Sequence, residues 1–224
     1  MGIARHLEER LERLVDGVSA AVFRGKMRPV DLGNRLVRFA DLRIEQTWLG
    51  PTIPNVYRLF VSEADLGADT ASQEPALATL ADELAHVVRV TAEETGWATR
   101  GPISVTVEPA GSGVGTTTVQ SGTDPGVMRP WGQLIAIRGS AVHSLGDNRV
   151  GIGRGTDVEV RIDNSEISRH HAVIIRGSGA YWVVDVASTN GTWRNSERIA
   201  QQPVQIHPGD TIRFGPATFT FRIL

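Results

Sequence analysis

From Trp131 to the C-terminus the sequence is broken into short apolar runs, separated every eight to twelve residues by Gly, Asp, Asn or Ser. The runs fall near 133–137, 142–145, 149–152, 158–162, 171–175, 180–185, 192–194, 204–206, 211–214 and 218–223, and Val, Ile, Tyr, Trp and Phe fill them. No segment here sustains a helical period. Short β-branched and aromatic runs punctuated by turn residues bury their apolar faces only by stacking sheets. The spacing therefore predicts an antiparallel β-sandwich or barrel over 131–224.

The first half reads differently. Ile3, Leu7, Leu11, Leu14, Val18 and Val22 recur at intervals of three or four, the stripe of an amphipathic helix over 3–22. Pro29 suits the first turn of a second helix, on which Leu32, Leu36, Val37 and Ala40 share a face. Ile44, Gln46 and Trp48 alternate with their neighbours as a strand, Gly50-Pro51 marks a turn, and Val56–Val61 reads as a second strand. A third helix over 74–95 and a strand through Ile103, Val105 and Val107 complete an α+β domain over 1–108. Residues 109–130 are rich in Gly, Ser, Thr and Pro and show no period. They are expected to be a flexible linker.

Charge and composition exclude several classes. The formal net charge is −2; residues 1–108 carry 12 basic and 16 acidic groups (net −4), and residues 131–224 carry 10 and 8 (net +2). Neither half has the basic excess that polyanion binding requires, so no nucleic acid is expected as a partner. With no cysteine, disulfides and thiolate metal sites are out. No apolar run approaches a membrane span, so no direct membrane insertion is expected. The N-terminus alternates charges instead of carrying an apolar secretory core, so the expected location is cytoplasmic.

Four short pieces lie in or beside predicted loops: Gly153-Arg154, Ser168-Arg169-His170-His171, Ser188-Thr189-Asn190-Gly191-Thr192 and Gly209-Asp210. Loops at one end of a sandwich commonly carry binding groups. A phosphomonoester brings nearly two negative charges and several strong acceptors. Arg154 can fork two N–H donors onto such a group, and Ser168 and Thr189 add hydroxyl donors. Asn190, with a donor and an acceptor, can pair with an extended peptide backbone. Gly153 and Gly191 permit close approach of the chain.

In order and spacing, GR, SRHH, STNGT and the late GD resemble the forkhead-associated (FHA) domain. The resemblance covers roughly 131–224 and implies a sandwich of about eleven strands that binds phosphothreonine. By motif position it implies that Arg154, Ser168 and Thr189 contact phosphate, that Arg169 supports the phosphopeptide site, and that Asn190 holds the peptide backbone. It further implies that His171 braces the loop, with Gly153 and Gly191 as structural support. Residues 1–108, with RLVDGVSAAVFRGKMRPVDLGNRL and later PNVY and GW, resemble the N-terminal domain of the actinobacterial FhaA type. That family is associated with membrane Ser/Thr kinases and cell-envelope growth. The resemblances together imply a non-enzymatic adaptor. Its partners would be phosphothreonine-containing proteins, such as a membrane Ser/Thr kinase or an envelope-synthesis protein, which could recruit it to the inner face of the membrane.

The same residues do not support other site chemistries. Ser168 with His171 lacks the G-x-S-x-G elbow and the geometry of a hydrolytic triad. His170, His171 and His207 do not make a zinc site, because adjacent strand side chains point to opposite faces; no metal or cofactor is expected. Gly151-Ile152-Gly153-Arg154-Gly155 has no helix after it to form a dinucleotide site. An alternative role for the N-terminal domain is nucleic-acid binding, though no G-x-x-G clamp occurs in 1–108. Thr116, Thr117 and Thr118, in the expected linker, are candidate phosphorylation sites whose modified form would compete for the chain's own pocket.

Overall fold

A computed structural model of the chain describes residues 27–62, 65–66, 74–111 and 116–224. The predicted helix over 3–22 lies outside them. Contacts divide the chain into two compact units: Met1–Glu45 with Thr52–Gly126, and Gln46–Pro51 with Val127–Leu224.

In the first unit, helix α1 (Pro29–Asp41) begins with proline at a position that needs no N–H, and Asp31 accepts the Arg28 backbone N–H at 3.0 Å. Its apolar stripe buries Leu32, Leu36 and Ala40 against α2 (Glu74–Thr95), which contributes Leu77, Leu80, Leu84 and Val88. In the chain between them comes β3 (Val56–Val61), which pairs parallel with β4 (Ser104–Pro109). Tyr57, Leu59 and Val61, every second residue of β3, are fully buried in this core.

Two expectations for this half need correction. Gly50-Pro51 is not the turn. It opens β2 (Gly50–Thr52), which forms a short ribbon with β1 (Glu45–Thr47), and the turn falls at Trp48-Leu49. Residues 109–130 are not a uniform flexible linker either. Thr118–Gly122 form β5, antiparallel to β3 with Val119 opposite Leu59. The Asn55 side chain then fastens the next residues, donating to the Asp124 carbonyl at 2.7 Å and accepting the Asp124 N–H at 3.0 Å. A strand at the edge of a sheet needs few apolar residues when its neighbour supplies the hydrogen bonds, and local composition cannot reveal that neighbour.

The second unit is the predicted sandwich. Five strands, β14 (Val204–Ile206), β11 (Ala180–Asp185), β10 (Ala172–Gly177), β8 (Arg149–Gly153) and β9 (Val160–Arg161), form one sheet in that order. The other sheet has the order β13 (Glu197–Ile199), β12 (Thr192–Arg194), β15 (Thr211–Phe214), β16 (Ala217–Ile223), β6 (Gly132–Ala136) and β7 (Val142–Leu145). All pairings are antiparallel except the two-residue pairing of β8 with β9. The inner faces meet through Leu134, Ile152, Ile174, Val183, Ile212, Phe214 and Phe221, each essentially inaccessible to solvent. Burial of each such side chain stabilises by about 1.5–3 kcal/mol relative to exposure. Trp131 stacks on Tyr181 at 5.0 Å and donates its indole N–H to the Asp147 carbonyl at 3.0 Å, so a ring with a polar edge closes one end of the core.

Candidate functional site

The first three motif pieces meet at one end of the sandwich. β8 ends at Gly153, and Arg154 follows with its N–H donated to the Ser168 carbonyl at 3.0 Å; the next N–H, of Gly155, reaches the Arg169 carbonyl at 3.1 Å. The approach depends on glycine. A Cβ on Gly153 would sit 2.0 Å from the Arg169 carbonyl oxygen. The loop entering β10 is thereby held against the start of the Arg154 loop.

Ser168 is in turn joined to the loop between β11 and β12. Its Oγ accepts the Thr189 N–H at 3.0 Å and lies 3.5 Å from Thr189 Oγ1. Two hydroxyls at that separation can each donate to a different oxygen of one phosphoryl group. Asn190 donates from Nδ2 to the Glu166 carbonyl at 2.8 Å. Arg154, Arg169, Thr189 and Asn190 are exposed and Ser168 is half-buried. Among the described residues neither Arg154 nor Arg169 has an ion-pair partner. Two arginines without ion-pair partners and two adjoining hydroxyls give these loops a cationic, donor-rich surface. It has the hydrogen-bond donors that an anion needs.

His171 is fully buried beneath this surface. Its Nδ1 accepts the Ser168 N–H at 3.2 Å and its Nε2 donates to the Gly191 carbonyl at 2.9 Å, so one ring ties the two loops together. Both bonds need the neutral ring with the proton on Nε2. Burial pushes the His171 pKa below its ordinary value, against the smaller upward pull of the Gly191 carbonyl and Asp185. The consequence for stability has a definite sign. The unfolded chain binds a proton near pH 6.5 and the folded chain only at lower pH. Stability is therefore constant above that value and lost as pH falls from about 6.5 toward the lowered folded value. Urea midpoints measured between pH 7.5 and 5 are expected to fall over this interval, and to fall less in His171→Gln. Equal slopes in the two proteins would remove His171 as the cause.

The residue that sequence reasoning missed is Asp185. At the end of β11, it accepts the Ser188 N–H at 2.9 Å, the Ser188 hydroxyl at 2.5 Å and the Thr192 hydroxyl at 2.6 Å. The carboxylate thus shapes the loop that presents Thr189 and Asn190. No local pattern marks it: its role depends on the Ser188 and Thr192 hydroxyls converging on one carboxylate. His170 and His171, both ahead of β10, have different neighbours. His170 bonds Asp157 at 2.8 Å and stacks 4.1 Å from Trp48, a member of the same compact unit. Asp210 lies elsewhere, bonding the His207 N–H at 2.9 Å and Asn195 Nδ2 at 2.9 Å, where it closes a turn.

The three candidate acceptor threonines are not equivalent. Thr116 is exposed and Thr118 is exposed within β5, whereas Thr117 is 4% exposed with its hydroxyl 3.5 Å from Met27 Sδ. In the folded chain the Thr117 hydroxyl is out of a kinase's reach, which corrects the expectation for that residue. A groove of about 570 Å³ in the first unit runs along α2 and β4, lined by Leu77, Ala81 and Val105 together with Glu74, Asp82 and Glu108; it contains none of the motif residues. Among the described residues no helix is long and apolar enough to cross a membrane.

Comparison with known proteins covers both halves. The FhaA N-terminal domain family model matches residues 5–112 and the FHA domain model residues 150–215. The oxoglutarate dehydrogenase inhibitor of Corynebacterium diphtheriae is 32% identical over 113 residues, 49% of this chain and 77% of that protein. The transcriptional regulatory protein EmbR of Mycobacterium tuberculosis is 40% identical over 72 residues, 32% of this chain, and the chain spans only 18% of EmbR. Among solved structures, the FhaA FHA domain complexed with the intracellular domain of Rv3910 is 29% identical, with a TM-score of 0.38, covering 41% of this chain and 99% of that one. The chain belongs to the forkhead-associated (FHA) domain proteins and joins an FhaA N-terminal domain to an FHA domain.

Proposed function

We infer that this chain is an adaptor that reads phosphothreonine on a partner protein. Arg154, Ser168, Arg169 and Thr189 hold the phosphate, and Asn190 holds the partner's backbone. The supporting observation is that Thr189 Oγ1 lies 3.5 Å from the Oγ of Ser168, the residue whose carbonyl accepts the Arg154 N–H. A phosphoryl group placed there neutralises two guanidiniums that otherwise lack a counter-charge. The partners are targets of a Ser/Thr kinase, and the FhaA-type N-terminal domain supplies a second contact. A membrane kinase or an envelope-synthesis protein fits this role and would bring a cytoplasmic adaptor to the inner membrane face. That a relative covered over 77% of its length is an inhibitor of an enzyme agrees with action by binding rather than by catalysis.

Calorimetric titration of the full chain with a phosphothreonine peptide and with its unphosphorylated form tests the reading. Binding is expected for the first alone. Equal heats and affinities for the two forms would sink it.

A further inference from the structure

Beside the phosphate-binding loops, on the outer face of the six-stranded sheet, Trp193 stands between two arginines. In the strand register it lies opposite Arg198 of β13 on one side and Arg213 of β15 on the other, so the three side chains form one cross-strand row. The Arg213 guanidinium carbon is 3.4 Å from the centroid of the indole and that of Arg198 is 5.7 Å away. The ring's negative face attracts both cations and limits how far they wander.

The row abuts the site already described. A Cβ on Gly191 would lie 3.0 Å from Arg198 Nε and 3.2 Å from its Nη2, so this guanidinium rests against the residue that follows Asn190. Arg213 Nη1 donates to the Gly215 carbonyl at 2.9 Å, and the Gly215 N–H donates to the Gly191 carbonyl at 3.0 Å. A Cβ on Gly215 would lie 3.5 Å from Asn190 Cβ. The surface that holds Asn190 therefore continues without a gap onto the arginine row.

Neither arginine has an ion-pair partner among the described residues. Glu197, next to Arg198 in the chain, sits opposite Arg194 and so alternates to the other face. Glu166 also borders Asn190, but its contacts there run through its carbonyl oxygen, 2.8 Å from Asn190 Nδ2. Arg198 is exposed and Arg213 half-buried. A cationic ledge on rigid strands, held by an aromatic ring and lacking a counter-ion, is prepared for an anionic group.

We propose that Arg198 and Arg213, held on Trp193, form a second anion subsite that takes a carboxylate side chain from the same phosphothreonine-bearing segment. This rests on the phosphothreonine reading above and adds a sequence preference to it. The phosphate sets whether a segment binds, and the ledge sets which segments bind best. Because the ledge is on the surface, its effect is moderate and sensitive to salt.

The test uses the full chain and an alanine-rich phosphothreonine peptide in which a single Glu, or a single Gln, is walked through the four positions on each side of the phosphothreonine. At one or two positions on one side, the Glu peptide is expected to bind about three- to five-fold tighter than its Gln counterpart at low salt. The ratio is expected to fall toward one in Arg198→Ala and to be partly kept in Arg198→Lys. Retention of the full ratio in Arg198→Ala would overturn the proposal. So would the absence of any position where Glu exceeds Gln while the phosphopeptides still bind. If no phosphopeptide binds the wild-type chain, the adaptor reading falls and the ledge falls with it.

Discussion

Arg154→Ala is expected to weaken binding of a phosphothreonine peptide by about a hundredfold or more while leaving the fold intact. Hydrogen bonds to a charged group contribute about 1.5–3 kcal/mol each, and a guanidinium can make two to one phosphate. Loss of two is at least about 3 kcal/mol, which is two decades of affinity. The fold should not notice. Arg154 is exposed, and its structural bond, from N–H to the Ser168 carbonyl at 3.0 Å, is made by backbone that alanine retains. Its thermal unfolding should therefore match wild type within about 0.5 kcal/mol. Arg154→Lys keeps the charge but loses the planar fork, and should fall between the two. The measurement is calorimetric titration of all three proteins with one peptide. Wild-type affinity in Arg154→Ala would mean that phosphate is held elsewhere, and the assignment of this end of the sandwich would fail.

How far the sequence alone could be read depends on where the information resides. Ser168-Arg169-His170-His171 and Ser188-Thr189-Asn190-Gly191-Thr192 were legible because each packs several chemically distinctive residues into one turn, and the structure bonds Ser168 to Thr189 across 21 residues of chain. The β3 and α2 spans were legible too, since Val56–Val61 alternates and 74–95 keeps a helical period for its whole length. What escaped depends on partners remote in sequence. β13 is Glu197–Ile199, a three-residue segment with one buried side chain, Ile199, and it exists because β12 lies beside it. β5 exists because β3 offers an unpaired edge far upstream in the chain, Val56 facing Gly122 at one end and Phe60 facing Thr118 at the other. The role of Asp185 also hides in tertiary space: an aspartate at a strand end looks like solvent-facing polarity until Ser188 and Thr192 are seen to converge on it. Periodicity reports one element's exposure to core and water, whereas an edge strand or a buried acceptor is defined by its neighbour.

Gly153 is where sequence motif and packing constraint coincide, and Gly153→Ala is expected to destabilise the FHA unit by about 2–4 kcal/mol. The added methyl would sit 2.0 Å from the Arg169 carbonyl oxygen, 2.8 Å from its carbonyl carbon and 3.0 Å from the Ser168 oxygen. All three are backbone atoms, so no side-chain rotation relieves the overlap. Overpacking of this kind costs about 1–3 kcal/mol. The same two carbonyls accept the N–H groups of Arg154 and Gly155, at 3.0 and 3.1 Å. Displacing them weakens two hydrogen bonds at about 0.5–1.5 kcal/mol each. Phosphopeptide affinity should fall as well, because Ser168 moves away from the start of the Arg154 loop. Gly122→Ala is the control: a Cβ there meets nothing within 4 Å and its φ is not positive, so the midpoint should shift little. Urea unfolding gives the stability change, and amide hydrogen exchange locates it. In Gly153→Ala the Arg154 and Gly155 amides should lose protection before those at the centre of β10. If both amides exchange as in wild type and the urea midpoint is unmoved, the two loops are not held together through Gly153, and the geometry from which the phosphate site is built would have to be abandoned.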